Sequence, residues 1–186
     1  MTSQGSPLTL DPPVPTAARK PGWRFLLSHP AHAVALGFGS GLSPKAPGTV
    51  GTLWGWLSFV LLQPHLNNLH WAGLIGASLL LGWWACTVTA RHLAVADPGA
   101  IVWDEIVAFW IVLWLVTPAG FWAQFVAFLL FRYFDAAKPG PVAWADGVFK
   151  GRRGQPIGWA QGFGILFDDL VAALCTLLVI ALWRFL

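Results

Sequence analysis

Two pairs of adjacent acidic residues interrupt stretches otherwise fit for a bilayer: Asp104 and Glu105 in IVWDEIV, and Asp168 and Asp169 in GILFDDLVAALCTLLVIALW. A charge at the bilayer centre costs about 2.5–3.5 kcal/mol on insertion scales, so these residues need a reason to be there. On a helix, Ala108 shares the face of Asp104 and Glu105, and Ala172 and Ala173 follow Asp168 and Asp169 by one turn. Small residues let helices approach closely, so the two acidic faces are expected to pack against each other. Carboxylates meeting there would repel unless a cation sat between them. An oxygen-only donor set without Cys or His suits Mg²⁺ or Mn²⁺. The plainer reading is that each pair sits in the first turn of a helix, where the macrodipole favours it by about 0.3–1 kcal/mol. Two adjacent pairs at two helix starts on one membrane face favour the shared metal site.

Phosphate chemistry is suggested by GFGSGLSPKAPGTVGTLWG, residues 37–55. Glycine lets backbone N–H groups approach an anion, and a helix opening after Pro47 would turn its positive end the same way, beside Lys45. The order of a Walker loop is absent, and a glycine hinge packed among helices is the competing reading. Asp97, before Pro98, reads as a helix start. Asp135 stands within a turn of Arg132 and Lys138, which suits either a local ion pair or contact with metal or substrate. Asp146 in ADG reads as a turn residue, with a ligand role as the alternative. Arg152 and Arg153 suit anionic headgroups. His29 and His32 lack a third ligand at zinc spacing, and Cys86 and Cys175 read as apolar filler.

These side chains must be held by apolar elements. The 186 residues are 56% hydrophobic and 10% charged, against about 25% charged in a soluble domain. The basic residues form no long patch interleaved with aromatics, which argues against nucleic acid despite the +3 formal charge. Residues 1–22 are rich in Pro, Ser and Thr without the apolar core of a signal peptide, and the disordered tail is placed at 1–28, before a membrane domain at 29–186. Five apolar stretches, near 50–64, 70–90, 104–117, 119–134 and 167–185, predict an all-α, compact integral membrane protein with about five membrane-embedded helices. If they alternate, ten of the eleven basic residues and all eight acidic ones fall on one face. The positive-inside rule makes that face cytoplasmic, and the polar site with it.

The segments GSGLSPKAPGTVGTL, IVWDEIV, FRYFDAAKPGPV and G-x-G-I-x-x-DDLVA, in that order, resemble the phosphatidylglycerophosphatase A family over roughly residues 30–186. The resemblance implies a small helical protein of the bacterial inner membrane, dependent on Mg²⁺. It implies removal of the terminal phosphate of phosphatidylglycerol phosphate. The family's acidic positions would fall on Asp104, Glu105, Asp135, Asp168 and Asp169, and its phosphate-contacting positions on Lys45, Gly48, Thr49, Thr52, Arg132 and Lys138. Departures are Ala108, where Gly is usual, and a less Gly-rich approach to the second acidic pair at Gly162 and Gly164.

On this footing Glu105, Asp168 and Asp169 are expected to hold Mg²⁺. Asp104, Asp135 and Lys138 are expected to be catalytic, and Lys45, Gly48, Thr49, Thr52 and Arg132 to bind phosphate. Water attack with Asp104 or Asp135 as base and a covalent aspartyl-phosphate both remain open. The acyl chains would enter a groove between Trp-rich helices, with Trp54, Trp56, Trp103 and Trp110 as candidates, although anchoring in the headgroup belt is the leading reading of these indoles. The motifs of other phosphatase classes are missing. The rival from another class is a small membrane cation-binding protein or transporter using the clustered carboxylates, but no internal repeat supports it.

Overall fold

The computed structural model describes residues 20–149 and 156–185. Most of the expected tail, and Lys150, Arg152 and Arg153 with their expected headgroup patch, lie outside the described residues. The architecture is all-α. Two short helices, α1 (Trp23–Leu27) and α2 (Pro30–Ala35), lead through a 3-10 segment at Gly37–Leu42 into α3 (Pro47–Leu62). Next come α4 (Asn68–Leu93), α5 (Trp103–Val116), α6 (Phe121–Ala137), the short α7 (Pro141–Val148) and α8 (Trp159–Phe185). Helix α1 falls inside the stretch assigned to the tail: its Leu26 is buried, so order begins before residue 28.

The helices begin and end where local chemistry directs. Pro47 opens α3, its missing N–H costing nothing in a first turn. Asn67 caps α4, its side chain accepting the His70 N–H at 2.9 Å. Arg91 and His92 occupy the last turn of α4, where positive charge suits the helix dipole. Helix α2 is tied to that end of α4: the His32 and His92 rings share a hydrogen bond of 2.8 Å between Nε2 and Nδ1.

Helix α5, WDEIVAFWIVLWLV, is apolar on every side beyond its first turn, and a helix apolar all round belongs in a core. It packs against α3, α4, α6 and α8, with Val107, Phe109, Val112 and Leu113 fully buried. Two of its indoles are spent on internal bonds: Trp103 donates to the Ser78 carbonyl at 3.0 Å and Trp110 to the Gly55 carbonyl at 2.9 Å. Neither is free to anchor in a headgroup layer or to line a groove. Helices α4 and α8 come together at Gly162, where a Cβ would stand 1.8 Å from Thr87 Oγ1.

Among the described residues, five long helices occupy the five predicted stretches, and of these only α4 and α8 are long and apolar enough to cross a membrane by length and composition. Helices α3, α5 and α6 have 16, 14 and 17 residues, against about 20 for a full span. The expectation of five embedded helices is thus met at the level of helices, while spanning length is reached by two of them.

Candidate functional site

The start of α3, the start of α5, the end of α6, α7 and the early part of α8 meet at one end of the bundle. Every carboxylate of the two acidic pairs lies there, and each is buried to nine-tenths or more. Asp104 and Glu105 occupy the first turn of α5, as predicted. The second pair differs from expectation. Helix α8 begins at Trp159, so Asp168 and Asp169 lie more than two turns inside it and no dipole argument accounts for them. The apolar stretch used to mark the helix start omitted WAQGFGIL, whose glycines and glutamine lower its hydropathy without breaking the helix. Ala108, Ala172 and Ala173 are buried and α5 packs on α8, which brings the two acidic faces together. Asp169 lies within electrostatic range of Asp135, Asp104, Glu105 and Asp168.

Two cations balance this charge. The Arg132 guanidinium, near the end of α6, donates through Nη1 to Glu105 Oε1 at 3.0 Å and Thr52 Oγ1 at 3.2 Å, and pairs with Asp135 Oδ2 at 2.5 Å. One side chain therefore joins α3, α5 and α6. Lys138 terminates α6 with a left-handed backbone, φ 45°, a conformation costing an L-residue about 1–2 kcal/mol. Its ammonium reaches Asp168 Oδ2 at 2.5 Å and also pairs with Asp146 Oδ1. Partial burial works against the charge, but the Asp146 and Asp168 carboxylates outweigh it and hold the Lys138 pKa above the ordinary lysine value.

The glycine-rich segment serves close packing. A Cβ on Gly48 would lie 2.0 Å from Glu105 Oε1, and one on Gly51 3.1 Å from Glu105 Oε2. These glycines let the first turn of α3 press onto the Glu105 carboxylate, so the hinge reading of the segment describes Gly48 and Gly51. Thr52 joins the site, donating to the Gly48 carbonyl at 2.9 Å while accepting from Arg132. Thr49 is half-buried in the same turn. Lys45 is exposed in the preceding loop and makes no ion pair among the described residues, so it is not brought to the carboxylates.

Two acidic residues join the site that the sequence assigned elsewhere. Asp97 is not a helix start, since α5 opens only at Trp103; it lies within electrostatic range of Asp104 and Asp168. Asp146 lies in helix α7 and pairs with Lys138. Asp97, Asp146 and Asp168 line one small crevice with Gln161. The sequence signal was available: all eight acidic residues had been placed on one face.

The donor chemistry suits a hard divalent cation. Glu105 Oε2 is buried with no hydrogen-bond partner, and Asp135, Asp168 and Asp169 lie within electrostatic range of the carboxylate. Among the described residues, no three His, Cys, Asp or Glu side chains stand close enough to hold one ion. Arg132 and Lys138 supply the direct countercharge in this arrangement.

The pattern of the Phosphatidylglycerophosphatase A family matches residues 33–184, which include every residue of this cluster. The Phosphatidylglycerophosphatase A of Escherichia coli (strain K12) is 38% identical over 151 residues, covering 80% of each chain. That of Haemophilus influenzae (strain Rd) is 37% identical over 157 residues, covering 84% of this chain and 90% of its own. A Bacteroides thetaiotaomicron protein, provisionally named a phosphatidylinositol-3-phosphatase, is 35% identical over 158 residues, covering 81% of this chain and 91% of its own. No solved structure matches the chain significantly.

Proposed function

This chain belongs to the phosphatidylglycerophosphatase A family, and on that premise we propose that it hydrolyses the terminal phosphate monoester of phosphatidylglycerol phosphate, leaving phosphatidylglycerol and phosphate. What carries the reading is the meeting of five buried carboxylates with Arg132 and Lys138 inside the stretch that the family pattern spans. A phosphate monoester needs cations for its oxygens, and Arg132 and Lys138 supply two at this end of the bundle, among buried carboxylates.

Arg132 and Lys138 exchange carboxylate partners for phosphate oxygens as substrate arrives, and Thr52 orients the guanidinium. Thr49 and the backbone of Gly48 border the same space, and exposed Lys45 meets the anionic headgroup at the rim. Asp104 or Asp135 takes a proton from the water whose oxygen bonds to phosphorus as the bond from phosphorus to the glycerol oxygen breaks, and the departing glycerol oxygen takes up a proton from solvent. Glu105, Asp168 and Asp169 would hold Mg²⁺ only after drawing closer than they stand in this arrangement; bound there, the ion would polarise phosphate oxygens and acidify water. All five long helices are embedded in a bacterial inner membrane, the three shorter ones by local thinning or shallow insertion, with the polar end toward the cytoplasm.

The test is phosphate release by purified protein from phosphatidylglycerol phosphate, with phosphatidylinositol 3-phosphate in parallel. We expect release from the first in the presence of Mg²⁺, and its loss in Asp169→Asn. Full activity of Asp169→Asn would remove that residue from the site. A carrier of cations, the rival use of clustered carboxylates, would release no phosphate from either lipid.

A further inference from the structure

Helix α3 leaves the polar site as a ridge with an open groove on either side. Its first turns bear Gly48 and Thr52 against Glu105 and Arg132. Leu53 and Leu57 follow Thr49 by one and two turns, and Trp56 and Val60 follow Thr52 in the same way. Leu57 is therefore about 12 Å along the axis from Thr49 at 1.5 Å per residue. Leu53 and Leu57 are about half exposed and line both grooves.

One groove, of about 440 Å³, runs between α3 and α6 along Leu53, Trp56, Leu57 and Val60 toward Phe121 and Gln124. Its wall is rigid: the Trp56 indole stacks on Phe121 and Phe128 and donates to Gln124 Oε1 at 2.7 Å. The other, of about 360 Å³, lies between α3 and the 3-10 segment, along Phe38, Val50, Leu53, Trp54 and Leu57. Among the described residues, no charged side chain lines either groove.

We propose that the Leu53–Leu57 ridge is straddled by the two acyl chains of a single lipid substrate, one in each groove, with its phosphate at Arg132. The inference rests on the lipid phosphatase reading above and extends it to the substrate's tails. Two grooves that share a ridge and leave the same helical turn fit a diacyl lipid fed from one headgroup. A single-chain lipid needs only one of them.

The test uses Val60→Trp, which fills the α3–α6 groove and leaves the other intact. Leu61→Trp, exposed and outside both grooves, is the control. The purified variants are assayed in detergent micelles on three forms of phosphatidylglycerol phosphate: dioleoyl, mono-oleoyl and water-soluble dihexanoyl. For Val60→Trp we expect KM for the dioleoyl lipid to rise about tenfold, the effect of losing a few methylenes of apolar contact. KM for the other two forms, and kcat throughout, should stay within about twofold of wild type. An unchanged dioleoyl KM overturns the proposal, as does an equal loss on the dihexanoyl form or an equal rise in Leu61→Trp. An inactive wild-type protein defeats the phosphatase reading and this inference together. An active one indifferent to Val60→Trp defeats the inference alone.

Discussion

Gly48→Ala puts the contact between α3 and Glu105 to a quantitative test. The added Cβ would stand 2.0 Å from Glu105 Oε1, 2.8 Å from Cδ and 2.9 Å from Oε2. Ordinary contact begins near 3.4 Å, so the carboxylate must retreat by about 1.4 Å or α3 must lift away. A retreat of that size breaks the 3.0 Å bond from Arg132 Nη1. Hydrogen bonds to charged groups contribute about 1.5–3 kcal/mol. Alanine's helix propensity returns up to about 1 kcal/mol. The net expectation is a loss of about 0.5–2 kcal/mol in stability. Phosphate release should fall at least about tenfold, since Glu105 and Arg132 both leave their places. The control is Gly76→Ala on α4, where a Cβ meets nothing within 4 Å and propensity acts alone. It should be neutral or stabilising by up to about 1 kcal/mol. Thermal unfolding in detergent and phosphate release measure both variants. If Gly48→Ala matched Gly76→Ala in both, Glu105 would not be seated under α3 and the site geometry would be wrong.

Arg132→Lys keeps the charge but cannot join Thr52, Glu105 and Asp135 with one planar fork; phosphate release should fall about 10–100-fold, and wild-type kinetics in this variant would show that charge alone suffices. Burial holds the His32 pKa below the ordinary histidine value of 6.5, so the unfolded chain binds the extra proton. The stability from neutral His32 is complete above pH 6.5 and is lost as pH falls from there through the lowered folded value. Unfolding temperature measured between about pH 8 and pH 5 should therefore decline less steeply for His32→Gln than for wild type, and parallel curves would place the acid sensitivity elsewhere.

Composition and hydropathy determined the helical class and the places of the five long helices. These follow from local cost: in lipid every backbone group must be bonded within its own segment, and apolar length decides where that happens. The four motifs also marked the family, because the acidic pairs and the glycine segment stand at readable spacings. The small residues one turn beyond each acidic pair correctly foretold that α5 and α8 would close.

Tertiary structure decided the rest, because partners were chosen across the bundle and not along the chain. Nothing local to Asp97 or Asp146 distinguishes a turn residue from a member of the polar cluster. Only the arrival of Lys138 and Asp168 from other helices does so. The sequence assigns Gly48 to phosphate contact with helix packing as the competing reading, and only the approach of Glu105 reveals how closely it packs. Lys45 had the right type and position in the sequence but points from an exposed loop, where no packing draws it inward. Even the depth of Asp168 and Asp169 depended on α8 extending back through polar and glycine residues that tertiary contacts with α4 and α7 keep helical.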